Sequence, residues 1–459
     1  MKLFRNVGLY ILLSVLIWPV FTQETKTVTN DISGSWLGVL DVGAVKLRLV
    51  FKISKTADGK WAALLDSPDQ GAKDIPCTSV SWEKDQVTIE MKGLMATFSG
   101  QLKENSGLID GTFKQGGQSF PLACKRVKED DQALANKVRP HETATYHAPR
   151  YEKPDMFQEK EITVGAGEWK LPGTLTLPVG KGPFPVLILV HGSGSHDRDE
   201  TIGPNKPFRD LASGLAAQGI AVLRYEKRTK RYAEKLRNSI VGFTVNEEVV
   251  NDAVAAVALA RQTAGIDPNK VFVLGHSLGG ILAPRIAAGH PEIAGFIIMA
   301  GALARPLEDL LLEQTVFQLS LSTLPAETKQ KQLDEIKQVV AAIKAVSKES
   351  PAQDLIFHAP PSYWLDLKGY NPLAAAKALK QPLLVLQGEK DCQVNIQRDF
   401  GVWQQTLASR KNVVLKSYPN LNHLFMEVHG QSTGMEYYQD LGNIVPIVID
   451  DIAKWIKSI

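Results

Sequence analysis

Six short apolar runs, with helical patterning between them, limit the second half of this chain to one class of architecture. They lie at residues 185–190, 220–225, 271–274, 294–299, 383–386 and 413–418. A strand with one wet face alternates apolar and polar residues, whereas a run without alternation belongs to a strand buried on both faces. Residues 207–218 and 247–263 carry helical patterns between such runs, and 447–458 reads as a closing helix. Strand and helix in repeated alternation predict a mostly parallel α/β sheet from about residue 161 to 459. The interval between Ala300 and Gln381 is too long for a simple crossover and is helical in pattern. It predicts a helical cap inserted over the sheet at about 301–380.

The run at 271–274 leads directly into Gly275-His276-Ser277-Leu278-Gly279. A buried strand that ends in a sharp turn before a helix lifts one hydroxyl out of the sheet into a cleft. The flanking glycines suit a strained turn with closely approaching backbones, and residues 280–283 continue as a helix start. A serine hydroxyl needs a general base, and the base needs an orienting carboxylate. For a serine placed this way, the acid and then the histidine follow in chain order at later strand ends. Asp391 lies just past the run at 383–386, with Glu389 on the same loop as the alternative. His423 follows the run at 413–418, and His429 is the only other downstream histidine. The expected triad is therefore Ser277, Asp391 and His423. Its oxyanion needs two backbone N–H donors. The first expected donor is Leu278. The second comes from the loop His191-Gly192-Ser193-Gly194-Ser195, with Ser193 ahead of Gly194. His191 is read as a brace for that loop.

Residues 31–127 read differently. Stretches 45–53, 86–91 and 96–102 alternate apolar and polar side chains, with turn signals between them. Period-two alternation with frequent turns predicts a small antiparallel barrel or sandwich. No cluster of serine, histidine and acid lies there. Trp36, Trp61 and Trp82 are candidates for a carbohydrate- or lipid-binding platform, with Trp36 and Trp82 better suited to a core. Residues 128–160 are charged and contain Pro140, Pro149 and Pro154. That composition fits a linker, or an extended segment laid over a neighbour.

Composition narrows the function classes. A formal net charge of +3 over 459 residues gives no reason to expect nucleic acid as a partner. The densest basic run, Lys227-Arg228-Thr229-Lys230-Arg231, reads as a solvated loop. Lys2 and Arg5 precede a short apolar stretch at 7–21, and a polar exit follows. This pattern predicts a secretory signal peptide over 1–22, no membrane span after cleavage, and a periplasmic or secreted protein. Cys77 and Cys124 could pair in such a compartment or remain buried thiols. Cys392 has no evident partner. The three cysteines lack zinc-site spacing.

With these motifs in place, the region from about 161 to 459 resembles the α/β-hydrolase superfamily. Within it, the chain is similar to bacterial serine esterases of the dienelactone-hydrolase-like and acyl-CoA-thioesterase-like groups. The resemblance rests on His191 to Gly194, on 196–200 and 203–208, on Leu223-Arg224-Tyr225-Glu226-Lys227-Arg228, on 275–280, on Ser362-Tyr363-Trp364, and on the loops of Asp391 and His423. It implies an eight-stranded sheet, carboxylic ester hydrolysis of a small-molecule substrate, and no metal or organic cofactor. A dienelactone hydrolase proper carries cysteine where Ser277 stands, which disfavours that activity. The nearest rival is a serine peptidase.

Overall fold

The computed structural model describes residues 31–41, 46–56, 58–70, 72–91, 94, 96–103, 107–115, 118–127, 146–322 and 324–459. The expected signal peptide and most of the expected linker lie outside the described residues. Among the described residues, no helix is long and apolar enough to cross a membrane.

The first sheet is an antiparallel meander: β1 (Gly34–Asp41), β2 (Lys46–Lys55), β3 (Trp61–Ser67), β4 (Ala72–Pro76), β5 (Ser79–Glu83), β6 (Gln86–Met91), β7 (Ala96–Lys103), β8 (Leu108–Gln115) and β9 (Gln118–Val127). The order is β4-β3-β2-β1-β9-β8-β7-β6-β5, so first and last strands meet mid-sheet. Phe51 on β2 stacks on Phe98 of β7 at 5.1 Å between ring centroids. Those strands are four spacings apart in the order, roughly 19 Å in a flat sheet. The contact requires the sheet to roll over its own core, giving a half-barrel. Trp61 of β3 meets Trp82 of β5 edge to face at 5.8 Å, drawing the two ends together. Trp36 is fully buried beneath the Arg126 guanidinium. Trp36 packs inward, and the half-buried Trp61 and Trp82 pack on each other.

The second sheet holds β10 (Phe157–Val164), β11 (Leu171–Pro178), β12 (Phe184–Val190), β13 (Ala221–Tyr225), β14 (Ile266–His276), β15 (Ile293–Met299), β16 (Leu383–Gly388) and β17 (Val413–Tyr418). Its order is β10-β11-β13-β12-β14-β15-β16-β17. Pairs from β13 through β17 are parallel, and β10–β11 and β11–β13 are antiparallel. The six expected strands form the parallel part. β10 and β11 were not expected, and β10 starts at Phe157, inside the 128–160 interval read as linker. β10 is an edge strand with mostly exposed side chains, so it lacks the apolar run that marks a buried strand. The end of that interval is docked: Tyr146 donates to Asp210 at 2.9 Å, and Tyr151 to the Ile444 carbonyl at 2.8 Å.

Helices cover both faces of this sheet. Pro207–Ala216 and Pro446–Lys457 bury Leu211, Leu215, Val448 and Ile452 against Leu187, Leu189 and Leu274. On the other face, Asn251–Arg261 and Leu278–Ala287 pack against Val186, Ile188 and Val273. Between β15 and β16 the chain forms helices Leu307–Leu321, Ala326–Ala345, Pro361–Lys368 and Pro372–Ala378. Ile343, Tyr363 and Trp364 from this insertion join the sheet core. Helix Ala326–Ala345 also touches the half-barrel: the buried Gln332 amide donates to the Ser119 carbonyl at 2.6 Å, and the Ser119 hydroxyl donates to Glu335 at 3.0 Å.

Cys77, Cys124 and Cys392 are free thiols. Burial pushes the half-buried Cys77 thiol up to about 11 and the core Cys124 thiol up to about 12, which favours the protonated thiol at both.

Candidate active site

β14 ends at His276, and helix Leu278–Ala287 begins one residue beyond Ser277. Ser277 has φ 51° and ψ −117°, a strained conformation for a residue with a Cβ. Neither Gly275 nor Gly279 has positive φ. These glycines are required by contact. A Cβ on Gly275 would sit 2.0 Å from the Gly279 carbonyl oxygen, and one on Gly279 would sit 2.4 Å from that of Val190. The strain falls on the serine and the close packing on the glycines. Leu278 is the first helical residue, so its N–H has no intrahelical acceptor and is free to face a ligand.

β16 and β17 deliver the other two expected residues. Asp391 Oδ2 lies 2.7 Å from His423 Nδ1 and also accepts from Gln387 at 2.9 Å. Its other oxygen accepts from the N–H groups of Gln393 and Val394 at 2.7 and 3.0 Å. A carboxylate only accepts, so His423 carries its proton on Nδ1 and leaves Nε2 as a base. Glu389, the alternative acid, is exposed and accepts from Ser417 at 2.7 Å. His429 is exposed as well.

His191 is fully buried, which lowers its pKa to about 3, and its Nε2 lies 2.9 Å from the Asp197 carbonyl. A neutral ring donating to a carbonyl braces the loop. The exposed Ser193 offers its carbonyl to His196 Nε2 at 2.7 Å. Gly192 lies against Ser277, since a Cβ there would come within 3.1 Å of Ser277 Cβ.

Sequence reasoning missed two charged groups here. Glu200, buried and held at φ 51°, accepts the Gly192 N–H at 2.6 Å. Its other oxygen lies 2.9 Å from His276 Nδ1. The approach is off the hydrogen-bond direction, so the contact is an ion pair. His276 Nε2 lies 3.0 Å from the His423 carbonyl. Both ring nitrogens of His276 face groups that only accept, an arrangement that favours the protonated ring. Burial alone would raise the Glu200 carboxyl, but the His276 charge and neighbouring histidines hold it at about 2. Burial alone would lower His276, and Glu200 overturns that and raises it. The pair ties the loop before Ser193 to the residue before Ser277 and to the backbone of His423. The second missed group is Lys227. It was expected on a solvated loop, yet it is 2% exposed. Arg228 is likewise paired with Asp252 at 3.0 Å, while Lys230 and Arg231 are exposed. No local pattern marks the charge pairs, because Glu200 and His276, Lys227 and Glu248, and Arg228 and Asp252 are each more than twenty residues apart.

Residues 182–428 match the hydrolase family described as serine aminopeptidase S33. The chain belongs to this α/β-hydrolase family. Esterase EstD of Thermotoga maritima is 40% identical over 310 residues, covering 68% of this chain and 70% of that protein. The acylamino-acid-releasing enzyme of Rattus norvegicus is 23% identical over 266 residues, 56% of this chain and 30% of that enzyme. Among solved structures, an esterase of Pyrococcus furiosus aligns with a TM-score of 0.41 at 16% identity, covering 68% of this chain and 97% of that one. Family membership accounts for the matched span running from just before β12, past His423, to Val428.

Proposed function

We propose that this chain is an exported serine carboxylesterase that cleaves small acyl esters through an acyl-enzyme. The observation that carries this reading is the buried His423–Asp391 pair, which leaves Nε2 of His423 basic, on the same sheet as a serine held at a strained strand-to-helix turn. Ser277 attacks the ester carbonyl as His423 takes its proton. Asp391 holds the ring and stabilises the imidazolium. The N–H groups of Leu278 and Ser193 receive the tetrahedral oxyanion. His423 then protonates the leaving alcohol and activates the water that releases the acid. The likeness to EstD supports an ester over other acyl substrates. The basic start and apolar stretch at 7–21 support export, and a mature N-terminus near residue 23 in the secreted or periplasmic fraction would test it.

A peptidase reading is favoured by the family's description and by the rat enzyme's name. Residues 23–459 and Ser277→Ala should be compared on p-nitrophenyl esters from acetate to palmitate and on acylamino-acid p-nitroanilides. The expected outcome is turnover of short esters, lower by several orders of magnitude in Ser277→Ala. Turnover of anilides alone would establish the peptidase, and full activity in Ser277→Ala would overturn both.

A further inference from the structure

The peptide joining Gly192 to Ser193 is gripped by a buried cation. Lys227 Nζ donates to the Gly192 carbonyl at 2.6 Å and to Glu248 Oε1 at 2.6 Å. Tyr363, on cap helix Pro361–Lys368, donates its hydroxyl to the other Glu248 oxygen at 2.7 Å. Lys227, Glu248 and Tyr363 are all buried. The run is continuous from the cap to the loop beside Ser277. From the other side, Glu200 accepts the Gly192 N–H at 2.6 Å. More contacts from the same segment hold the loop: the Lys227 N–H donates to the His196 carbonyl at 3.0 Å, and the Thr229 hydroxyl to the Gly194 carbonyl at 3.1 Å.

Planarity gives this grip a consequence. In a trans peptide the C=O and N–H point in opposite directions, so fixing the Gly192 carbonyl fixes the Ser193 N–H. An ammonium at the carbonyl oxygen also draws electron density toward that oxygen, and at low local dielectric this strengthens the N–H as a donor. We propose that Lys227, charge-balanced by Glu248 and tethered by Tyr363, is a positioning residue that aims and polarises the Ser193 N–H, so that the cap helps set the oxyanion hole. This inference rests on the serine-hydrolase reading above.

The test measures kcat and KM on p-nitrophenyl acetate, and Ki for an aryl trifluoromethyl ketone whose adduct with Ser277 bears an oxyanion. The variants are Lys227→Met/Glu248→Gln, which removes the buried pair without stranding a charge, and Tyr363→Phe, which removes one oxygen and keeps the ring. The double variant should lose about 10- to 100-fold in kcat, less than the cost of deleting an oxyanion donor outright. KM should stay within about 2-fold, and Ki should weaken in proportion to kcat/KM, as for an interaction made only in the transition state. Tyr363→Phe should show the same pattern at about 2- to 10-fold, and it decides the matter alone if the double variant does not fold. Unchanged kcat in folded variants, or a fall in kcat with unchanged Ki, would overturn the proposal. Ser277→Ala separates the two levels. Its retaining activity overturns the serine reading, whereas its loss alongside unaffected Lys227 and Tyr363 variants overturns this inference only.

Discussion

Ser277 bears the positive φ that a glycine would adopt more easily, because a hydroxyl must leave the strand end at that angle. The Glu200–His276 pair behind it has a definite pH signature. Glu200 is held at about 2 against an ordinary 4.5, so its contribution to stability is complete above 4.5 and lost as pH falls through about 2. His276 is raised above 6.5, so its contribution is complete below 6.5 and lost as pH rises through the raised value. The pair is therefore strongest between about pH 4.5 and 6.5. Glu200→Gln should lower the unfolding free energy most in that window, by on the order of 3 kcal/mol. The deficit should shrink toward pH 2 and at alkaline pH. A deficit that stays flat across thermal melts from pH 2 to 10 would remove the pair from the stability account.

At the scale of elements, the turn from β14 into helix Leu278–Ala287 depends on backbones in contact. Gly280 and Gly301 meet in the same way, a Cβ on Gly301 falling 2.5 Å from Gly280 Cα. Gly275→Ala forces a methyl into the Gly279 carbonyl and cannot be absorbed by a side-chain rotation. It should cost about 3 kcal/mol or more in urea denaturation and lower kcat with it. A variant as stable and active as the parent would mean the turn relaxes freely.

For the whole molecule, two of the several contacts made by the helical insertion link distant parts of the fold. Tyr363 reaches the buried charges beside the loop of Gly192 and Ser193, and Gln332 reaches the half-barrel through Ser119. The half-barrel thus touches the helical insertion between β15 and β16. Gln332→Met leaves the Ser119 carbonyl without that buried donor and should destabilise by about 1–2 kcal/mol, read as a lower denaturation midpoint. An unchanged midpoint would make the contact incidental to stability.

The amino-acid sequence by itself determined the parallel strands and the residues at their ends. Apolar runs report burial on both faces, and a parallel sheet gathers its strand ends along one edge. The expectation that Asp391 and His423 lie beyond neighbouring strands followed from that order, and the two side chains meet at 2.7 Å. The same logic missed β10, whose exposed edge carries no such run, and misplaced Lys227, which opens a basic run whose later members Lys230 and Arg231 are exposed. Only the tertiary structure decided that Lys227 is buried, that Glu200 meets His276, and that the half-barrel meets the cap through Ser119. Periodicity records how wet a segment is. It holds no record of which distant group neutralises a buried charge, because that partner is chosen by packing across the fold.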